Sequence, residues 1–307
     1  MKPSIYFIVG PTAIGKSSLA IKLAKSIGGQ IINADSIQVY KDLKILSARP
    51  NKNELNYINH HLYGHVSGSN RYNVAKWCEE SSTLISKLLE QGITPIVVGG
   101  TGMYIDKFIN GIANIPSIPE LYKEKSEKLF LNEGQSNFFN IVNDIDYNSV
   151  KKIEPNDINR LKRIWEVFEY TKIPLSEWIN KKTKNYLGNN EYFLYLFLPD
   201  REQNYLRVNN RFEKMINDGA INEVKNLIEC KFKNSLPIMR AHGVPEISQY
   251  INKRITLEEC KDLGKRVTRN YVKRQHTWWN SSKLVFHQKF NQFPDKIDIN
   301  SMILTKN

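Results

Sequence analysis

The run Gly10-Pro11-Thr12-Ala13-Ile14-Gly15-Lys16-Ser17 fits the pattern G-x-x-x-x-G-K-[ST], and its fixed positions have chemical reasons. The glycines permit a turn whose backbone N–H groups point inward at the positive end of a helix. Lys16 adds a full charge, and Ser17 a hydroxyl suited to Mg²⁺. Such a loop grips a diphosphate or triphosphate. The plainer alternative, an ordinary strand-to-helix turn, is disfavoured because an apolar run precedes the loop and an amphipathic one follows it.

Two further segments carry groups able to act beside a bound phosphate. In Ala34-Asp35-Ser36-Ile37-Gln38-Val39-Tyr40, Asp35 is a candidate Mg²⁺ ligand or general base, or else, with Ser36, a cap for the next turn. In Gly99-Gly100-Thr101-Gly102-Met103-Tyr104, small residues let a substrate approach the backbone and Thr101 offers a hydroxyl, although a tight turn explains the segment equally well. Spacing leaves both choices open.

The cations form three groups. Arg160 and Arg163 share one face of Asn159-Arg160-Leu161-Lys162-Arg163, with Leu161, Ile164, Trp165 and Phe168 on the apolar face; a solvated basic face is the plain reading. Arg207 and Arg211, one turn apart and following Arg201, suit a phosphate clamp or pairing with Glu. Between residues 269 and 279, basic residues interleave with Tyr271, Trp278 and Trp279, which suits base stacking or helix packing. His60, His61 and His65 are read as structural, since no Cys is near and Glu54 has no ligand spacing.

These groups need a scaffold. Residues 4–10 read as a buried strand, 16–27 as a helix, 30–34 as a second strand, 74–90 as a helix and 95–98 as a third strand. Strands alternating with helices imply a parallel sheet covered on both faces, whose ligands gather at the carboxyl ends of the strands. From about 116 to 190 the chain turns to Lys, Glu and Asn-rich helical segments, such as 120–131 and 157–170. Residues 192–198 return to a strand pattern, followed by a helix carrying Leu206, Phe212, Met215 and Ile216 and, near 257–279, by closing helices. The expected fold is α/β: a P-loop NTPase-like parallel sheet covered by helices, with an inserted helical subdomain. Residues 1–115 and 191–285 form the catalytic core, 116–190 the insertion and 286–307 a C-terminal tail.

With 307 residues, 44 Lys plus Arg and 31 Asp plus Glu, the net charge is +13, which favours a polyanionic partner. No acid lies between Asp262 and Asp295, a stretch holding Lys265, Arg266, Arg269, Lys273, Arg274, Lys283 and Lys289, as a nucleic-acid face would. Cys78, Cys230 and Cys260 form no C-x-x-C pair, so neither a disulfide framework nor a cysteine zinc site is expected. Residues 5–9 are too short an apolar run for a signal core or a membrane span. A soluble, cytoplasmic protein is expected.

Together, the loop Gly-Pro-Thr-Ala-x-Gly-Lys-Ser, Ala-Asp-Ser-x-Gln-Val-Tyr and Gly-Gly-Thr-Gly resemble the bacterial tRNA dimethylallyltransferase family. The similarity continues through His60-His61-Leu62, Asn156-Asp157 to Arg163, Glu166-Val167, residues 201–215, Met239-Arg240-Ala241 and Lys273-Arg274-Gln275-x-Thr277-Trp278, and so covers roughly residues 4–279.

The resemblance implies transfer of a dimethylallyl group from dimethylallyl diphosphate, with Mg²⁺. The acceptor it implies is the exocyclic N6 amine of the adenosine 3′-adjacent to the anticodon, in tRNAs reading codons that start with U. It implies Asp35 as base, Thr101 orienting the reactants, and residues 10–17 with Arg201 on the diphosphate. For the tRNA anticodon stem-loop it implies Asp35, Ser36, Ile37, Gln38, Thr101, Lys123, Asn159, Arg160, Leu161, Lys162, Arg163, Arg240, Ala241, His242 and Gly243. A monomer is expected.

The chain departs from the family's usual Gly-Tyr-Lys-Glu at Gly243-Val244-Pro245-Glu246, and Trp279-Asn280 stands where an aromatic and Arg are common. The family's eukaryotic zinc finger has no cysteines here. A small-molecule or nucleotide kinase would share the loop, and a nucleotide-switched RNA-binding module would share the loop and the basic face.

Overall fold

A computed structural model describes residues 3–181 and 183–303. Strand β1 (Ile5–Val9) is buried along its whole length, as a central parallel strand covered on both faces must be. It feeds the phosphate loop and α1 (Lys16–Ile27), whose Leu19, Ala20, Leu23 and Ala24 face inward at the predicted helical spacing. The chain continues through β2 (Gly29–Asn33), α2 (Lys52–Tyr57), β3 (His60–His61), α3 (Val74–Glu90), β4 (Thr94–Gly99) and α4 (Gly102–Asn110). After β5 (Ile112–Ala113) come α5 (Glu120–Ile145), α6 (Tyr147–Val150), α7 (Ile158–Thr171), α8 (Leu175–Asn180) and β6 (Thr183–Lys184). Strand β7 (Tyr192–Phe197) then precedes α9 (Arg201–Asn217), α10 (Ala220–Glu229), α11 (Val244–Ile251), α12 (Leu257–Ser281) and β8 (Gln288–Phe290).

The main sheet has the order β3-β2-β4-β1-β7-β8, and every neighbouring pair in it is parallel. This is the P-loop NTPase-like α/β fold. Under one face, α1 packs on Tyr6, Ile8, Ile96, Val98, Tyr195 and Phe197. Helices α9 to α12 build a second core around Phe212, Met215, Val224, Val244, Ile247 and Cys260. Leu206, placed by its spacing among the apolar residues of α9, is instead 64% exposed.

The C-terminal segment corrects another expectation. Residues 286–303 are not a loose tail, because β8 pairs with β7, Phe290, Phe293 and Met302 are buried in the core beneath α1, and Tyr195 Oη donates to the Met302 carbonyl at 3.0 Å. Ile297, Ile299 and Ile303 pack against the same core from partly buried positions.

Contacts group the chain into two compact units, Met1–Lys107 with Leu187–Asn307, and Phe108–Tyr186, where the sequence reading drew the insertion at 116–190. In the second unit Phe138, Val142, Val150, Leu161 and Ile164 form the core. The first helical piece of α5 ends close to the expected 131, since the backbone leaves helical geometry at Gly134 (φ +71°, ψ 173°), and a second piece beyond it carries Phe138 and Val142 in that core. Asp146 closes the turn into α6: its carboxylate accepts from the Ser149 N–H, the Ser149 hydroxyl and the Ser176 N–H.

Candidate functional site

The strand order sets the site. The ends of β2, β4 and β1 lie side by side, so the Asp35 segment, the Thr101 turn and the phosphate loop follow one another along the sheet edge, with about 10 Å between the outer two at ~4.8 Å per strand. In the loop, Gly10, Ala13 and Gly15 take φ of +146°, +66° and +98°; the alanine's left-handed backbone costs roughly 1–2 kcal/mol. The Ile14 side chain is fully buried and anchors the loop in the core. Lys16 is buried too, and its ammonium donates to the Pro11 carbonyl at 2.6 Å. Burial draws its pKa down to about 7, with Asp35 opposing and Arg211 adding to the shift. Ser17 opens α1 with its side chain exposed.

The buried Asn33 organises the Asp35 segment. Its carbonyl oxygen accepts the Asp35 N–H, its amide donates to the Asp35 and Leu62 carbonyls, and its own backbone carbonyl takes the Trp77 indole N–H at 2.6 Å. Asp35 Oδ1 accepts the N–H groups of Ile37 and Gln38, so the turn-capping reading of this aspartate is met by one oxygen. Thr101 Oγ1 accepts the Ser36 N–H at 3.2 Å, tying the middle turn to the Asp35 segment.

Gln275, to which sequence reasoning gave no role, performs the matching task on the other side. It accepts the Thr12 N–H and donates to the Gly100 carbonyl, both at 2.9 Å, so one α12 side chain fastens the phosphate loop to the β4 turn. The available signal was a polar residue inside the buried stripe Cys260, Gly264, Thr268, Val272, Gln275, Trp279. Gly100 has to be small, since a Cβ there would meet the Gln275 amide and the Gly10 carbonyl.

Two cavities adjoin these turns. The larger, about 480 Å³, is lined by the phosphate loop with Lys16 and Ser17, by Tyr63 and by Gly99 and Gly100. The other, about 240 Å³, is lined by Ser36, Ile37, Phe212, Met215, Arg240, Ala241, His242 and Tyr271. Thr12, Asp35 and Arg211 line both. The half-buried Arg211 donates to Thr12 Oγ1 at 2.9 Å; burial lowers its pKa and Asp35 opposes that shift. In the smaller cavity the His242 and Tyr271 rings meet at 4.9 Å. Burial and then Arg274 hold the imidazole pKa down, with Asp35 opposing.

Of the three α9 arginines, Arg211 faces the cavities and the other two do not. Arg201, expected on the diphosphate, is exposed at the start of the helix beside Glu202 and the Tyr205 ring. Arg207 lies 3.6 Å over the Phe293 ring and bonds Asp295 and the Ile14 carbonyl. The three differ only in helical phase, which a basic i, i+4 spacing cannot resolve.

Other expected residues are brought near the cavities with their polar groups already engaged. The Gln38 amide donates to the Ser47 and Ala48 carbonyls, and the Gly243 N–H donates to Glu246. Ala241 is buried and Arg240 exposed. The family departure at 244–245 has a plain packing account: Val244 is fully buried, and Pro245 sits in the first turn of α11, where a missing N–H costs nothing.

In the second unit, Lys123 pairs with Glu120, Arg160 with Asp157 and Lys162 with Glu127. The Lys162 ammonium also lies over the Phe130 ring, and Arg163 faces Glu166. Asn159 is exposed, whereas Leu161 is wholly in the core and offers no surface. On α12, Lys261 and Lys265 pair with Glu213, so Lys265 of the acid-free stretch is answered by an acid of α9, and Arg269 donates to the neutral Asn209 amide oxygen. Lys273, Arg274, Thr277 and Trp278 line an open groove. His60, His61 and His65 bond Ile58, Gln30 and Glu80, and among the described residues no cluster of His, Cys, Asp or Glu could hold a metal. No described helix is long and apolar enough to cross a membrane.

A parallel sheet whose first strand opens into this loop, beside two cavities that share an aspartate and an arginine, defines a P-loop protein built for a phosphorylated ligand and a second reactant. The comparisons narrow the class. A family model described as IPP transferase matches residues 38–282, and one described as isopentenyl transferase matches residues 3–64. The tRNA dimethylallyltransferase of Pelagibacter ubique (strain HTCC1062) is 41% identical over 274 residues, covering 89% of this chain and 87% of that protein. That of Wolbachia pipientis wMel is 39% identical, covering 96% and 94%. Among solved structures, the tRNA isopentenylpyrophosphate transferase of Bacillus halodurans superposes with a TM-score of 0.67 at 29% identity, over 98% of this chain and 93% of that one. A eukaryotic dimethylallyltransferase acting on tRNA gives 0.76 at 29% identity, over 91% and 70%. The chain belongs to the IPP transferase family.

Proposed function

We propose that this protein transfers the dimethylallyl group of dimethylallyl diphosphate to the exocyclic N6 amine of the tRNA adenosine on the 3′ side of the anticodon. The observation that carries the reading is the pair of cavities meeting at Thr12, Asp35 and Arg211. A donor in the loop cavity and an adenine in the other would face each other across Asp35. In the reaction the bond from the allylic carbon to the diphosphate oxygen breaks, its electron pair leaving with the diphosphate. The amine nitrogen bonds that carbon, and its proton passes to the Asp35 carboxylate.

The loop amides, Lys16 and Arg211 oppose the charge that grows on the leaving group, in a site where each interaction counts for more than in water. Thr101, fixed by the Ser36 N–H, orients the reactants. The acceptor base must leave its stack to enter the smaller cavity, where the His242 and Tyr271 rings and Arg240 offer a stacking surface and a cation. Lys123, Asn159, Arg160, Lys162 and Arg163 contact the anticodon stem-loop. Mg²⁺ fits the loop cavity through the exposed Ser17 hydroxyl, since Mg²⁺ is commonly held by one or two protein oxygens together with substrate phosphates and water. It would supply further positive charge to the diphosphate. The protein acts as a monomer in the cytoplasm.

The test is incubation with labelled dimethylallyl diphosphate, Mg²⁺ and unmodified tRNA carrying adenosines beside the anticodon. Label should enter those tRNAs that read codons starting with U, at that adenosine. Unlabelled tRNA would overturn the reading.

A further inference from the structure

Tyr63 lies one strand outward from Asp35, just past the end of β3, and nothing in the mechanism above uses it. Its backbone is pinned on both sides. The Leu62 carbonyl accepts from the Asn33 amide that also holds Asp35, and the Gly64 N–H donates to the Gln38 carbonyl. Between these anchors Leu62 is driven to φ +62°, a left-handed backbone that a branched residue adopts only under constraint. The constraint turns the Tyr63 ring edge-on to His60 at 5.7 Å and onto the core beneath α1, with the residue lining the loop cavity together with Lys16, Asp35 and Arg211.

The enclosed setting of Tyr63 holds its phenol neutral, and the nearby carboxylates of Asp35 and then Glu54 add to that effect. Each carboxylate has one oxygen already engaged: Glu54 Oε2 takes the Asn51 N–H at 2.8 Å, and Asp35 Oδ1 takes those of Ile37 and Gln38. Among the described residues no protein group receives the Tyr63 proton. The half-buried Tyr63 lines the cavity, where a phosphate oxygen would offer its hydroxyl a charge-assisted bond in place of water.

We propose that the Tyr63 hydroxyl is a further donor to the diphosphate bound in the loop cavity, and so to the leaving group if the dimethylallyl reading above holds. It supplies a hydrogen bond without adding charge beside Lys16 and Arg211.

Tyr63→Phe removes only the hydroxyl and keeps the ring packing. The variant should melt with the wild type, bind inorganic diphosphate with Mg²⁺ about tenfold more weakly, and lose a comparable factor in kcat/KM for dimethylallyl diphosphate with KM for tRNA unmoved. Equal diphosphate affinity in the two proteins would overturn the proposal. So would unchanged affinity with a shifted pH–rate profile, which would give the hydroxyl to Asp35 instead. Diphosphate binding is read without prenyl transfer, so a wild type that binds diphosphate but labels no tRNA would sink the functional reading and leave the Tyr63 comparison intact.

Discussion

In the helical unit, buried carboxylates find partners within the protein: Asp146 collects three donors from Ser149 and Ser176, and Glu166, whose pKa burial raises, takes the Ser126 hydroxyl at 3.0 Å and faces Arg163. The sheet unit buries charge on different terms. Lys16 has one carbonyl, Arg211 one threonine hydroxyl, and Asp35 has its bonded oxygen on backbone N–H groups. Burial pulls the pKa of both cations down, and the left-handed Ala13 and Ala48 line the same cavity. Fixed donors that await an anion cost folding energy, and that cost is returned when charge arrives. The helical unit instead carries Lys123 and Arg160 in surface pairs with Glu120 and Asp157, which contribute little to stability.

The sharpest way to break this contrast is Asp35→Asn, which keeps the oxygen that accepts from Ile37 and Gln38 but cannot take a proton. Turnover should fall by about 10²–10⁴, with tRNA affinity by filter binding unchanged. If affinity falls in parallel, Asp35 is a structural cap like Asp146 and the contrast fails.

Arg211→Ala should lower kcat/KM for the donor by about 10²–10³, while Arg201→Ala, at the exposed end of the same helix, should stay within about twofold. Equal losses would mean that cavity lining does not distinguish these arginines. Steady-state kinetics on the two purified variants decides.

The difference between the units also governs what could be read from sequence. Helices α1 and α3 and the strand β7 were legible nearly to the residue, because apolar period and glycine punctuation fix them locally. The loop, Asp35 and Thr101 were legible because their chemistry sits in contiguous segments at strand ends. Gln275 and Tyr63 were not, and Arg211 could be named only together with Arg207, because the partners lie across the fold: Gln275 meets Thr12 from 263 positions away, and the phase of Arg211 against Arg207 depends on how α9 lies over the loop. The sequence reading missed the core role of residues 290–302 for the same reason, as their partners Tyr195 and Phe197 precede them by about a hundred residues.

For the surface pairs of the helical unit, Arg160→Ala combined with Arg163→Ala should weaken tRNA binding and reduce the slope of log affinity against log salt by about one to two. Turnover at saturating tRNA should hold. An unchanged slope would assign both guanidiniums to Asp157 and Glu166 alone.

The smallest effect belongs to Asp146 and reads stability only. Burial pushes its pKa up, but the bonds from Ser149 and Ser176 outweigh that, leaving it below the ordinary 3.8. The folded state therefore binds its proton later than the unfolded state does as pH falls. The stabilisation is complete above pH 3.8 and is lost as pH drops through the lower folded-state value. Asp146→Ala should cost about 1–2 kcal/mol at neutral pH, with activity per folded molecule unchanged. In circular-dichroism melts the gap between variant and wild type should be constant from pH 8 to pH 5 and close only below pH 4. A gap that closes near neutrality would mean that the carboxylate is held as loosely as the groups around the phosphate loop, and the two units would then bury charge alike.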